Sequence, residues 1–492
     1  MTTRHRKNRA FVTALQSGAT AKLARSSRVA LVSFAAMVSI GLSFTKPASA
    51  QEWLKDRRFS EGAGARLGNF ELHPGIAAEG GYDSNWFYRT FKSGANIANT
   101  GVVPAGMLRI TPSLSLSTLG ERRKEKNDGD VPELPQPVQF RGGVNATYRE
   151  FFGEEAIRNQ RNVSGNANMR VDFGVARPTG GDLYAAYTRS IRPSSSGDAN
   201  LGFNRNEISG GGDFVINPGG GTLDWRFGYQ ARAELFENTS HGELDSLTHE
   251  ASTRGRWKFR PRTAFVYDAT LRFTNYMNPI GLRNNHPMRT RIGMTGLVTP
   301  RFGVTGMVGW GASFVDTSND NTGGQIPQFD SVIGEAELRW FLTANPAAEQ
   351  SGDVSLALSY LSLGYNRDFQ PSLISTFYGI DRGFVKFAYF FGGRALVSAE
   401  VGGGAIKYPN IFGSSGAAIK AGFTDVRTDA TLFGEYRFSD SFGINLTGKF
   451  TGNFSKNQIP ADLSLGATTA NPAVVDMNWL RVEAFLGVRW FL

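Results

Sequence analysis

From Leu480 to the carboxyl terminus the chain alternates strictly between two kinds of side chain. Leu480, Val482, Ala484, Leu486, Val488 and Trp490 fall on one face, and Arg481, Glu483, Phe485, Gly487 and Arg489 on the other. A period of two is the signature of a β-strand, because successive side chains point to opposite sides of the pleat. Such a strand needs water on one face and an apolar medium on the other. Either a soluble sandwich or a membrane-embedded barrel meets that need.

The same pattern recurs through most of the chain. In Asn162 to Phe173, Val163, Gly165, Ala167, Met169, Val171 and Phe173 oppose Asn162, Ser164, Asn166, Asn168, Arg170 and Asp172. In Ile444 to Phe454, Ile444, Leu446, Phe450 and Phe454 oppose Asn445, Thr447, Lys449, Thr451 and Asn453. Leu223 to Leu235, Phe265 to Phe273 and Val332 to Trp340 follow the same plan. Alternation alone does not separate the two architectures, since a soluble antiparallel sheet alternates too. The connections do separate them, because short turns (Arg177 to Gly180, Asn217 to Gly221, Arg260 to Arg262, Pro300 to Arg301, Gly392 to Gly393, Ser439 to Ser441) take turns with longer polar stretches (Glu237 to Ser246, Asn278 to Pro287, Thr317 to Asp330, Pro409 to Thr424, Asn457 to Met477). Short turns at one end and long loops at the other are the plan of an outer-membrane barrel. Trp225, Trp257, Trp310, Trp340 and Trp490 lie at or near segment ends, where interfacial girdles sit. The expected fold is therefore all-β, a transmembrane antiparallel up-and-down β-barrel of about 18 strands, with 16 as the alternative. The counted segments start near Phe70, Val103, Gln139, Arg161, Asp182, Gly202, Thr222, Leu247, Ala264, Met288, Phe302, Ser331, Val354, Tyr378, Arg394, Val426, Gly443 and Trp479. Two connections on the short-turn side break the rhythm, Glu121 to Pro137 and Asn345 to Gly352, and either could contact another protein.

Charge and address follow from the amino end. The chain of 492 residues has a formal charge of +10 and no Cys. Arg4, Arg6, Lys7, Arg9, Lys22, Arg25, Arg28 and Lys46 carry most of that excess, with no acid before residue 51; without those eight, 45 basic residues face 43 acidic ones. The basic balance thus belongs to a leader, which removes the main support for nucleic-acid binding. That leader has a basic start, an apolar run from Val29 to Phe44, and Ala48, Ser49 and Ala50 as a small-residue cleavage site. The expected layout is a signal peptide over 1–50, a periplasmic tail over 51–69 and a barrel over 70–492. No later stretch reaches the roughly 20 apolar residues of a membrane helix, so any span of the mature chain must be β. A Cys-free exported chain also excludes a disulfide scaffold and a thiolate metal site.

Catalytic signals are weak. Gly62, Gly64 and Gly68 lack both the spacing and the preceding strand of a phosphate loop. His5, His73, His241, His249 and His286 are framed by no nucleophile motif. Asp316, Ser318 and Asp320 start like a calcium loop, but Asn321 and Pro327 stand where Gly and Glu are needed. The reading is of a non-enzyme without metal or cofactor. The candidate site is instead the polar face: Arg170, Arg226, Arg232, Arg254, Arg256, Lys258, Arg272, Arg339, Arg382, Lys386, Arg427, Arg437, Lys449, Arg481 and Arg489. Fewer acids share it, among them Asp172, Asp224, Glu234, Glu250, Asp268, Glu335, Glu337, Asp429, Glu435 and Glu483. These charges either brace the wall by mutual pairing or set a field that favours anions, since Arg rings set pore selectivity.

Three stretches carry a resemblance. Gly487, Trp490, Phe491 and Leu492 resemble the terminal signal of outer-membrane barrels, which implies recognition by the barrel-assembly machinery; Leu492 stands where an aromatic residue is usual, and Phe485 where a polar one is. FELHPGIAAEGGYDSNWFYR (Phe70 to Arg89), with Tyr82, Asp83 and Asn85, and SLGYNRDFQPSLISTFYGID (Ser362 to Asp381), where Gly364, Tyr365, Arg367 and Asp368 are expected to precede a strand pair, look like the β-barrel porin family of Gram-negative outer membranes. The likeness is particularly to barrels found with polysaccharide-secretion systems of myxobacteria. What it implies is a channel in outer-membrane lipid, serving as the exit conduit of a secreted polysaccharide with periplasmic export proteins as partners. Two alternatives stay open: a general diffusion porin, and a non-conducting structural or adhesive barrel.

Overall fold

The computed structural model describes residues 64–492 except 95, 119–136, 175–176, 192–203, 219–220, 238–243, 278–283, 317–325, 343–358, 373, 392–393, 413–417, 440 and 461–473. The leader, most of the tail and the connections 121–137 and 345–352 lie outside or almost outside those residues. Residues 55–390 and 395–492 form one compact unit, which holds the sheet described below.

In chain order the strands are β1 (Ala65–Leu67), β2 (Phe70–Asp83), β3 (Ala105–Thr118), β4 (Val138–Phe152), β5 (Asn162–Phe173) and β6 (Thr179–Ser190). There follow β7 (Arg205–Ile216), β8 (Leu223–Phe236), β9 (Ser246–Arg260), β10 (Thr263–Tyr276), β11 (Asn285–Thr299) and β12 (Phe302–Val315). Next come β13 (Asp330–Phe341), β14 (Tyr360–Pro371), β15 (Phe377–Phe391), β16 (Ala395–Tyr408), β17 (Ile411–Phe412) and β18 (Ala418–Lys420). The last are β19 (Phe423–Ser439), β20 (Phe442–Phe454), β21 (Gln458–Pro460), β22 (Val474–Asp476) and β23 (Trp479–Phe491). Eighteen of these, β2 to β16 with β19, β20 and β23, are the staves of one closed antiparallel barrel. The sheet closes where β23 pairs with β2, from Gly75↔Phe491 to Asp83↔Glu483. Closure leaves no stave with an open edge.

The faces decide between barrel and sandwich. Along β23, Val482, Leu486, Val488 and Trp490 are exposed, whereas Arg481, Phe485 and Phe491 are buried. The inversion is general: Leu183, Ile292, Val308, Leu363 and Val401 are more than half exposed on the outer wall. A sandwich would cover that apolar face with a second sheet. Here the polar face is enclosed instead. Aromatic residues mark both rims of the outer wall: Trp257 stacked on Phe265, Phe302 on Trp340, and Tyr436, Phe442 and Trp490 toward the short turns. Tyr82, Tyr187 and Trp310 lie toward the loops.

Local chemistry sets the turns. Gly174, with φ +66°, lies where a Cβ would come within 2.6 Å of the Thr179 carbonyl oxygen, so the turn into β6 requires glycine. At the opposite end the connections are structured. β17 pairs with β18 and β21 with β22 inside stretches that the polar composition marks as plain loops. Two further expectations are corrected. His286 stands in β11, paired with Phe314, not in a loop. Gly364, Tyr365, Arg367 and Asp368 lie within β14 itself, and that strand is described from Tyr360, because 354–358 fall outside the described residues.

Candidate functional site

Register places all thirteen of Arg170, Arg226, Arg232, Arg254, Arg256, Lys258, Arg272, Arg339, Arg427, Arg437, Lys449, Arg481 and Arg489 on the enclosed face. Arg382 and Lys386 share it from β15. Most of these cations meet carboxylates on the same or the neighbouring stave. Arg170 binds Asp172 (2.8 Å) and Asp182 (2.6 Å), Arg272 binds Glu250 (2.5 Å), Arg339 binds Glu337 (2.7 Å) and Arg382 binds Glu400 and Asp429 (both 2.6 Å). These pairs brace the wall. Looser contacts join Arg226 to Asp224 (3.6 Å) and Arg232 to Glu234 (3.7 Å). Among the described residues, Arg254, Lys258 and Lys449 have no ion-pair partner.

Near the barrel closure Arg437 and Arg481 are buried and Arg489 is half-buried. Arg437 and Arg489 both reach Glu435, each at 2.9 Å. Arg481 binds Asp83 and Glu483, each at 2.5 Å, and donates to the Tyr88 hydroxyl. Asp83 and Asn85 are therefore more than turn formers. Asp83 accepts from the Asn85 amide (3.0 Å), while the Asn85 side chain donates to the carbonyls of Arg89 (2.8 Å) and Leu480 (2.9 Å). The Tyr-Asp-x-Asn element ties the loop ends of the first and last staves together.

After the same tie, Trp86 and Val103 turn inward. Trp86 packs edge-on against Phe151 (4.8 Å) in a cluster with Met107, Ile157, Ile191 and Phe485. Phe485 thus has a reason to replace a polar residue: its ring lies under the Arg109 guanidinium at 3.5 Å and beneath this cluster. A second cluster sets Ile411, Ile459 and Met477 from the loop hairpins and their flanks on Tyr378, Ile406 and Tyr408 of the inner wall. Both clusters set loop-end side chains against the inner wall.

Midway along β7 to β14 the inner wall holds a recess of about 500 Å³. Five arginines (Arg226, Arg254, Arg272, Arg289, Arg291) and three aspartates (Asp213, Asp268, Asp368) line it. Arg291 takes both oxygens of Asp268 (3.0 and 2.9 Å). Arg289 binds Asp368 (3.0 Å) and lies over the Phe369 ring at 4.3 Å. Arg289 and Arg291 are absent from the set read from sequence, as are Arg109, Arg141 and Arg149. Parity held the signal for the first two: they alternate with Met288, Thr290 and Ile292.

The histidines stay apart from any nucleophile arrangement. His249 faces outward on Tyr229 (2.7 Å), and buried His73 lies beside Glu71 (3.6 Å) and the Leu492 carbonyl. No group of three or more His, Cys, Asp or Glu among the described residues is placed to hold a metal ion.

No family model matches the sequence, and no curated protein does. Solved structures with a similar trace include the outer membrane protein opdK from Pseudomonas aeruginosa (10% identity, 87% of this chain, 100% of that chain, TM-score 0.42). OpdQ from the same organism is also similar (10%, 87% and 98%, TM-score 0.43). So is the FrpB iron transporter from Neisseria meningitidis (11%, 91% and 84%, TM-score 0.43). Likeness at this level carries no family, cargo or gating with it.

Proposed function

We propose that this chain, after loss of a leader near Ala50, is an outer-membrane channel whose water-filled interior favours anionic solutes. One observation carries the reading: the closed barrel turns its large apolar side chains outward and encloses its charged ones, with Arg254, Lys258 and Lys449 left without carboxylate partners among the described residues. An apolar outer wall between two aromatic rims suits a bilayer. Cations without counter-ions on an enclosed wall need water around them. Their field concentrates anions in the confined space.

Exit of an acidic polysaccharide is a finer version of the same reading, supported by the resemblance of Phe70 to Arg89 and Ser362 to Asp381. General diffusion of small anions needs nothing beyond the wall itself. The test is conductance of the purified barrel in a planar bilayer, followed by the phenotype of a deletion strain. Anion-preferring conductance with slowed uptake of small anions supports the diffusion channel, and loss of surface polymer supports export. A barrel that stays silent even with its loops shortened would sink both and leave the structural reading.

A further inference from the structure

The recess between β7 and β14 has a feature that wall bracing does not explain. Arg226 and Arg254 stand directly opposite one another across the β8–β9 ladder. Like charges at directly paired positions destabilise a sheet. On its other side Arg254 faces Asp268, but Arg291 occupies both oxygens of that carboxylate. Among the described residues Arg226 has only Asp224, 3.6 Å away on its own strand. Opposed arginines elsewhere on the wall keep an acid in close contact: Arg141 and Arg170, also directly paired, share Asp172, and Arg109, opposite Arg149, binds Glu79 at 2.9 Å.

We infer that the recess is a binding site for a small hydroxylated monocarboxylate, a sugar acid in kind, with Arg226 and Arg254 gripping the carboxylate. Guanidinium forks match a carboxylate in two parallel hydrogen bonds. Arg272, Arg289 and Arg291 are each held by an acid of the wall, Glu250, Asp368 and Asp268, so they fix the rim, and the opposed pair is the one without a close acid. Ser252, Thr270 and Gln370 add neutral donors and acceptors along the lining. Asp213 sets the charge and the hydroxyl requirement. Among the described residues it has no hydrogen-bond or ion-pair partner, and it lies over Gly228, where a Cβ would come within 2.3 Å of its Oδ1 and 2.7 Å of the Ser252 Oγ. A bare carboxylate beside the arginines accepts from a ligand hydroxyl and repels a dianion such as a phosphate monoester. A volume of about 500 Å³ is within the usual range, about 300–1,000 Å³, of small-molecule sites.

The inference rests on the reading of the enclosed face as water-filled, and equilibrium binding tests it without requiring conductance. Purified, refolded barrel is titrated with galacturonate, with neutral galactose and with galactose 1-phosphate, and bound ligand is read by calorimetry or saturation-transfer NMR. Galacturonate should bind, more weakly as salt rises, and galactose should not. Arg254→Gln and Arg226→Gln should each weaken binding about tenfold, the loss of one charge-assisted hydrogen bond. Arg254→Lys, which keeps the charge and loses the fork, should weaken it less. Lys449→Gln should leave it unchanged, and heat-shift electrophoresis verifies that each variant is folded. No galacturonate binding, equal binding by all variants, or tighter binding of the phosphate would overturn the site. Binding without conductance would remove the channel and keep the site; conductance without binding would do the reverse.

Discussion

The closure of the barrel and the wall of β8 to β11 use the same side chains in opposite ways. At the closure, Arg481 is 6% exposed and Asp83 fully buried, and the guanidinium has two carboxylates and a hydroxyl around it. On the wall, Arg226 and Arg254 are exposed and face each other directly, with one loose acid, Asp224, beside Arg226 on its own strand. The difference is access to water. A buried charge without a partner costs several kcal/mol, so charges persist there only in pairs; a charge facing water can stay single. Unpaired cations therefore mark where the interior is wet.

The largest effect comes from breaking the closure itself. Deleting Trp490 to Leu492 removes the pairs Gly75↔Phe491 and Ile76↔Trp490 and leaves part of β2 unpaired. The truncated chain should fail to reach a heat-resistant folded state in membranes, which electrophoresis of unheated samples reads directly. Next is Asp83→Ala, which removes one of the two carboxylates of buried Arg481, leaves it Glu483 and the Tyr88 hydroxyl, and should cost about 1–3 kcal/mol in urea unfolding from lipid vesicles. Adding Arg481→Met should recover part of that loss. If Asp83→Ala were silent, the contrast between dry and wet arginines would fail.

The outer wall sharpens the contrast further. Leu446→Arg puts the same charge on the lipid side and should cost about 2–4 kcal/mol, whereas Thr447→Arg, one residue on and facing inward, should be nearly neutral. Arg254→Glu should change stability by no more than about 0.5 kcal/mol. It should instead shift bilayer selectivity toward cations at low salt, an effect that shrinks as the screening length falls to about 8 Å at physiological ionic strength.

The smallest effect is at the loop end of the outer wall. Arg189 donates to both oxygens of Glu237, at 2.5 and 2.9 Å, and holds that carboxyl below its ordinary value of 4.5. A depressed folded-state pKa contributes stability above the ordinary value and loses it as pH falls through the folded one. Protection of the amides near Ser190 and Glu237, measured as hydrogen exchange relative to the intrinsic rate at each pH, should be constant through neutral pH and should fall only in acid.

The sequence by itself determined the fold class, the eighteen staves and the two faces of most of them. Alternation is a property of neighbouring residues, so it survives without knowledge of any partner; the segment starts at Phe70, Phe302 and Trp479 coincide with strand starts. Where local signals mix, it misled. The polar stretch before Met288 hid two residues at the start of β11 together with His286. Gly364 and Asp368, good turn residues, proved to lie inside β14, where ladder pairing outweighs turn propensity. Only the tertiary structure decided which arginines find acids. Arg481 and Asp83 are 398 positions apart in the chain, and they meet because the last stave pairs with the first. Arg254 lacks an acid because register places Arg226 on one side and an already occupied Asp268 on the other. Pairing across strands is set by register and closure, which no window of sequence contains.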